Sequence, residues 1–233
     1  AGRCAAAGEH RAALPGGVPV SAPAQHAPAA VPPVCPVIEF WFDFGSNYSY
    51  LSAQRIEAEA VRRGVTVRWR PFLLGPIFRS FGWETSPFVL QKAKGAYVWR
   101  DMARACRKAG LPWRQPSVFP RGAVLAHRVG TLGGDAPWVG AFCRRVFALN
   151  FVEDREMDDP ATLAAILTEL GLPAAEILAA ADSEVNRQAL RARTETAAAR
   201  GLFGAPTFFV GEEMFWGNDR LDDALDACVT GIA

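Results

Sequence analysis

Residues 37–44, "VIEFWFDF", put Ile38, Phe40, Phe42 and Phe44 on one side of an extended chain, while Trp41 puts apolar surface on the other. A strand apolar on both sides belongs in a sheet covered on both faces, the arrangement of α/β proteins. Ser46 follows at a corner, and the spacing then becomes helical. Tyr48, Leu51, Ile56 and Ala60 fall inward, Glu57, Arg62 and Arg63 outward, and Gly64 supplies the stop. "VTVRWR" alternates again, with Val65, Val67 and Trp69 set against Thr66, Arg68 and Arg70. Residues 37–70 therefore predict a β-α-β unit with parallel strands and a right-handed crossover.

From about residue 75 to 200 the patterns are helical. "SPFVLQKAKGAYVWRDMARACRKAGLPW" reads as one helix ending at "AGLP". "PWVGAFCRRVFALNFVED" and "DPATLAAILTELGLP" follow, and "DSEVNRQALRARTETAAARGLFG" reads as a long helix closed by Gly201. Alternation then returns. "TFFV" turns at Gly211-Glu212 into "EMFW", a hairpin, and "NDRLDDALDACV" reads as a helix with Asn218 or Asp219 as its cap. This order resembles the thioredoxin plan, a central mixed sheet flanked by helices, with a large all-helical insertion domain. The expected division is 37–74 for the first part of the thioredoxin-like domain, 75–190 for the insertion and 191–233 for the second part.

Residues 1–36 break every pattern. Ala, Pro and Gly dominate and no aromatic residue occurs, so the segment cannot bury enough apolar surface to offset its ordering entropy. It reads as a disordered leader or an over-long gene start. Glu9, His10 and Arg11 interrupt the apolar stretch that a signal peptide would need.

Charge and cysteine usage narrow the functions. Lys plus Arg total 25 against 24 Asp plus Glu, which gives no electrostatic reason to expect nucleic acid or a membrane surface as partner. No apolar run approaches the roughly 20 residues that span a bilayer. The five cysteines are scattered without a C-x-x-C, so neither a disulfide framework nor a cysteine zinc site is indicated, and a reducing, cytoplasmic setting is expected. Of the three histidines only His127 lies in the part expected to fold, which leaves little material for a metal site or a Ser-His-Asp triad.

The chemistry concentrates at two places. Ser46 sits where a strand feeds a helix N-terminus, whose unpaired N–H groups and dipole favour negative charge; its bland alternative is an ordinary N-cap. Pro206, in "GAPTFF", directly precedes a strand, where thioredoxin-like proteins carry a cis-proline; the alternative is an ordinary trans proline.

Taken together, "FDFGSNYSYL" and "FGAPTFFVGEEMFWGNDRLDDAL" closely resemble the 2-hydroxychromene-2-carboxylate isomerase family, as do "RPFLLGPIFR", "KGAYVWRDMAR" and "PSVFPR" between them. That family is related to kappa-class glutathione transferases and to disulfide-forming thioredoxin-like oxidoreductases. The resemblance covers about residues 37–230. It implies a glutathione-dependent enzyme of aromatic catabolism, of the naphthalene type, with Ser46 catalytic. It assigns glutathione to the Ala205 backbone before Pro206 and to the W-G-N-D segment, Trp216, Gly217, Asn218 and Asp219. Arg79, the best match though less securely aligned, and Lys94, a weaker match still, would hold the substrate, with Tyr48 near the acceptor site.

Each of these has a structural alternative: Asp219 as a cap, Trp216 as core, Arg79 and Lys94 as solvated charges, Tyr48 as packing. Where relatives often carry an Asn substrate contact after "FPR", this chain has Gly122, so the resemblance speaks for glutathione more than for a particular substrate. The partners it implies are glutathione and a small aromatic molecule, with a homodimer allowed.

A serine without a base is a poor nucleophile near neutral pH, so Ser46 is better suited to donate a hydrogen bond to a bound thiolate. Thiolate addition to a conjugated acceptor, rotation and elimination would then isomerise the double bond. Two other readings stay open: a kappa-type transferase or peroxidase, and a non-catalytic thiol-binding module. The missing C-x-x-C speaks against a disulfide oxidoreductase.

Overall fold

The computed structural model describes residues 36–231, so the expected leader, apart from Pro36, lies outside the described residues. In chain order the elements are β1 (Val37–Phe42), α1 (Asn47–Arg63), β2 (Thr66–Pro71), α2 (Leu74–Ser80), α3 (Pro87–Leu90) and α4 (Lys92–Ala109). There follow α5 (Val124–Gly133), α6 (Val139–Phe151), α7 (Pro160–Glu169), α8 (Ala174–Ala181) and α9 (Glu184–Ala199). The chain closes with β3 (Thr207–Val210), β4 (Glu213–Trp216), a 3-10 turn at Asn218–Arg220 and α10 (Leu221–Thr230).

The sheet has the order β2-β1-β3-β4. β1 runs parallel to β2 and antiparallel to β3, with Phe40 opposite Phe208 and Trp41 opposite Thr207. β3 and β4 form the expected hairpin.

The two-sided character of β1 is realised. Ile38, Phe40, Phe42 and Phe44 are fully buried in one core with Tyr50, Ile56 and the α6 aromatics Phe142 and Phe147. Trp41 joins a second cluster on the opposite face, with Phe72, Ile77, Leu202 and Phe209. Each such side chain contributes about 1.5–3 kcal/mol on burial, so a polar residue at either face of β1 would be costly. The inserted helices complete the same core as the sheet, through Met102 of α4, Val129 of α5 and Leu163 of α7.

Several elements differ from the sequence reading, each because distant packing outweighs local pattern. Glu57, expected to face solvent, is half-buried: it accepts from Trp69 Nε1 at 3.2 Å and pairs with Arg144, because α6 packs across that flank of α1. The helix expected over 86–113 is two helices. Ser86 caps α3, the chain bends at Gln91, and α4 then runs to Gly110. Within the helical stretch, α5 and α8 have no sequence counterpart of their own, and α9 crosses the expected boundary between 190 and 191.

Neither Asn218 nor Asp219 caps α10, whose start has no side-chain cap. The two residues form the 3-10 turn instead. No helix among the described residues is long and apolar enough to cross a membrane.

The close approach of α3 to α4 depends on a glycine. Gly95 packs against the Phe88 carbonyl so closely that a Cβ there would lie 2.2 Å from the oxygen. Gly95→Ala must therefore displace α3 from α4, at a cost of about 2 kcal/mol. The expected Tm loss is roughly 4–8 °C for a chain of this size, read by thermal denaturation. An unchanged Tm would mean that α3 is not held against α4.

Candidate functional site

Because β3 runs antiparallel to β1, the start of β3 lies beside the end of β1, and the segments flanking both strands meet. The Ala205–Pro206 peptide bond is cis. Across 159 positions of sequence, the Ser46 hydroxyl donates to the Ala205 carbonyl at 2.8 Å. The same oxygen accepts the Ser49 N–H at 3.2 Å, so Ser46 is also the cap of α1. Asp43 fixes the corner from behind: one carboxylate oxygen accepts Gly45 N–H at 2.7 Å and the other accepts Leu74 N–H, at the start of α2, at 2.8 Å.

His127 lies 3.8 Å from Asp43 but is engaged elsewhere. Its Nδ1–H donates to the Ala123 carbonyl at 2.7 Å, and its Nε2 accepts Phe44 N–H at 3.3 Å. The imidazole makes no hydrogen bond to Ser46, so the corner is not a nucleophile–base pair.

A cavity of about 980 Å³ opens at this corner, and its wall contains every residue nominated from the sequence. On one side are Ser46, Ala205, Pro206 and the segment Trp216, Gly217, Asn218 and Asp219. That segment is held against the proline, since Gly217 N–H donates to the Pro206 carbonyl at 3.0 Å. Asn218 is held against α1, accepting the Ser52 hydroxyl at 3.0 Å. Trp216 is not a core residue. It is 52% exposed, edge-on to Phe203 at 4.8 Å, and so close to Gly204 that a Cβ there would lie 2.5 Å from the indole nitrogen. Asp219 projects into solvent and, among the described residues, accepts only from neighbouring Arg220, at 3.3 Å.

The opposite side is formed by α2, α3, α4 and the loop before α5. Arg79 and Lys94 line it, and neither has a carboxylate partner among the described residues; Lys94 Nζ lies 5.9 Å over the Phe88 ring. Tyr48 donates to Asp101 at 2.8 Å, and burial together with that carboxylate pushes its phenol well above the ordinary tyrosine range.

Gly122 lies exposed on the wall between two fixed neighbours. The side chain of Arg121 is buried and donates to Asn150 at 2.8 Å, Asp154 at 2.9 Å and Glu156 at 3.1 Å. Asp154 also accepts the Ser117 N–H at 2.9 Å. The Asp154 carboxyl is held down to about 2, first by the Ser117 amide and then by Arg121.

Sequence reading missed Asp43, Asp101, Arg121 and His127 as wall residues. Asp101 was findable, seven positions beyond Lys94 on one helical face; Arg121 carries no local signal. Asn47 was missed as well. Both of its carboxamide atoms, and the hydroxyl of Ser49, are buried without a partner in the first turn of α1, at a cost of about 1–3 kcal/mol for each unpaired group.

The profile of the DSBA-like thioredoxin domain matches residues 37–228. The chain is 29% identical to a 2-hydroxychromene-2-carboxylate isomerase of Pseudomonas putida over 188 residues, 79% of this chain and 90% of that protein. It is 31% identical to glutathione S-transferase kappa 1 of Caenorhabditis elegans over 88 residues, 37% of this chain and 38% of that one. Among solved structures, a selenomethionine 2-hydroxychromene-2-carboxylate isomerase superposes with a TM-score of 0.74 at 27% identity, covering 82% of this chain and 93% of that chain. The fold is thus the thioredoxin-like one, with its helical insertion, and the sequence relationships are to isomerases and, over a shorter stretch, to a kappa-class transferase.

The loop facing the cavity has a testable pH dependence. A carboxyl whose folded pKa lies below its unfolded value adds stability above the unfolded value, near 4, and loses it as pH falls through the folded one. Asp154, held at about 2, should therefore contribute to a stability loss between about pH 4 and pH 2. In Asp154→Asn the urea midpoint should already be lower at pH 7, and its further fall over that window should be smaller than in the parent. Parallel midpoint curves for the two proteins would overturn this assignment.

Proposed function

We propose that this chain, which belongs to the DSBA-like thioredoxin-domain family, is a glutathione-dependent isomerase of 2-hydroxychromene-2-carboxylate or a similar intermediate of aromatic catabolism, working in the cytoplasm. One observation carries the reading. A hydroxyl, not a thiol, occupies the N-terminus of α1, 2.8 Å from the carbonyl of the residue before a cis-proline, on the wall of a large cavity.

The site suits a small thiol peptide. The corner offers a hydroxyl and the dipole of a 17-residue helix with no acidic side chain in its first turn, so an anion placed there meets no opposing charge on that turn. Ala205, Pro206, Trp216, Gly217, Asn218 and Asp219 would hold the peptide around it. When bound, glutathione supplies the thiolate that adds to the conjugated acceptor and leaves again, turning a double bond into a rotatable single bond for the lifetime of the adduct. Ser46 turns its proton from the Ala205 carbonyl to the sulfur, which favours the charged form and lowers the thiol pKa. Arg79 and Lys94, both without carboxylate partners among the described residues, hold the acceptor's carboxylate and favour the negative charge that builds beside it. Tyr48 lines the acceptor side.

The kappa-class relative supports one competing reading, a transferase or peroxidase using the same bound thiolate. Stable conjugates accumulating in place of a regenerated thiol would favour it.

Ser46→Ala separates the roles of this serine. Loss of the cap costs about 1 kcal/mol, so the fold should survive with a Tm a few degrees lower. Turnover should fall about a hundredfold, the worth of one preorganised donor to an anion. The thiol pKa of bound glutathione, followed by thiolate absorbance, should rise. Full activity in thiol-free buffer, or an unchanged bound-thiol pKa, would sink the mechanism. Asp219→Ala should raise the apparent KM for glutathione more than it lowers kcat, because its carboxylate stands at the rim; the reverse pattern would remove Asp219 from the binding set.

A further inference from the structure

The pair formed by Tyr48 and Asp101 has no part in handling the thiol, yet both residues face the same cavity. Tyr48 lies in the first turn of α1, two positions beyond Ser46. Asp101 lies on α4, one helical face with Lys94 and Val98. The phenol donates to one carboxylate oxygen of Asp101 at 2.8 Å, and the other oxygen accepts Arg104 Nη2 at 3.0 Å.

A phenol has one proton to give. Here it is committed to an ion, which makes a stronger hydrogen bond than any neutral acceptor could offer in its place. What Tyr48 retains for a ligand is the lone pairs of its oxygen, enriched by the carboxylate behind it. A ligand carbonyl or ether approaching this oxygen gains nothing, whereas a ligand hydroxyl gains a hydrogen bond.

We propose that Tyr48, oriented by Asp101, is a specificity determinant that selects aromatic carboxylates bearing a free hydroxyl over their O-alkylated analogues. This rests on reading the cavity as the acceptor site. It assigns the hydroxyl of the acceptor to Tyr48, as Arg79 and Lys94 are assigned its carboxylate. Asp101 is a positioning residue: it fixes which partner holds the phenol proton and so sets the sign of the preference.

The test uses binding, so that it does not depend on turnover. The full-length protein saturated with glutathione is titrated by calorimetry with 3-(2-hydroxyphenyl)propanoate and with 3-(2-methoxyphenyl)propanoate, neither of which has a double bond to accept a thiolate. The parent protein should prefer the hydroxy acid by about tenfold, the discrimination one hydrogen bond to a charge-polarised oxygen supplies. Tyr48→Phe should bring the two affinities to parity with the fold retained, as read by circular dichroism. Asp101→Asn is the sharper variant. Its carboxamide N–H can donate to the Tyr48 oxygen and release the phenol proton, so the preference should move toward the methoxy acid.

Equal affinities in the parent, absence of binding by both acids, or a tenfold preference that survives Tyr48→Phe would each overturn the proposal. An Asp101→Asn protein that keeps the full preference would do the same. If the preference is found but no acceptor is isomerised with glutathione, the isomerase reading falls while the hydroxyl selection stands.

Discussion

The antiparallel pairing of β3 with β1 is the constraint from which the site follows. β1 is the central strand, apolar on both faces, and it must be covered on both sides and paired on both edges. Parallel β2 takes one edge, which the crossover through α1 makes available. β3 takes the other edge in the opposite direction, with Trp41 beside Thr207. That reversal sets the start of β3 next to the end of β1, so the helix start that follows one strand meets the turn that precedes the other. The contact between Ser46 and Ala205 is a consequence of this geometry, as is the packing of the W-G-N-D turn against Pro206.

Around this corner the protein divides its polar groups into committed and uncommitted ones. Asp43 and His127 hydrogen-bond to backbone groups, and Arg121 to the side chains of Asn150, Asp154 and Glu156, so these groups of the wall are held in place. Arg79 and Lys94 have no carboxylate partner among the described residues and line the cavity. Two cations without ion pairs would need little side-chain pairing to be broken were an anion to bind on this wall.

A serine in place of a thiol at a thioredoxin-like corner changes what the corner can do. A cysteine there would be stabilised as a thiolate and would react itself. A hydroxyl stays protonated, so it keeps an O–H to donate, which suits it to hold an anion brought by another molecule. The three cysteines among the described residues lie elsewhere: Cys106 and Cys143 are buried, and burial raises the thiol of each, as it does that of half-buried Cys228. None stands on the cavity wall.

The sequence by itself determined the elements with strong local periodicity. It made β1 two-faced, closed α1 at Gly64, and marked the Gly211-Glu212 hairpin and a proline poised before β3. It also named the corner serine and, through the family resemblance, nine further residues of the same cavity wall. Helix boundaries and the fate of single charges escaped it. The break at Gln91 arises where Gly95 meets a carbonyl of another helix, and Glu57 is half-buried because α6, more than eighty residues away, covers it. Asp101 looks like any exposed acid on a helix until Tyr48 is placed opposite. Periodicity records which face of an element is apolar. Which polar group meets which is decided by contacts between residues far apart in the chain, and only the folded chain brings those together.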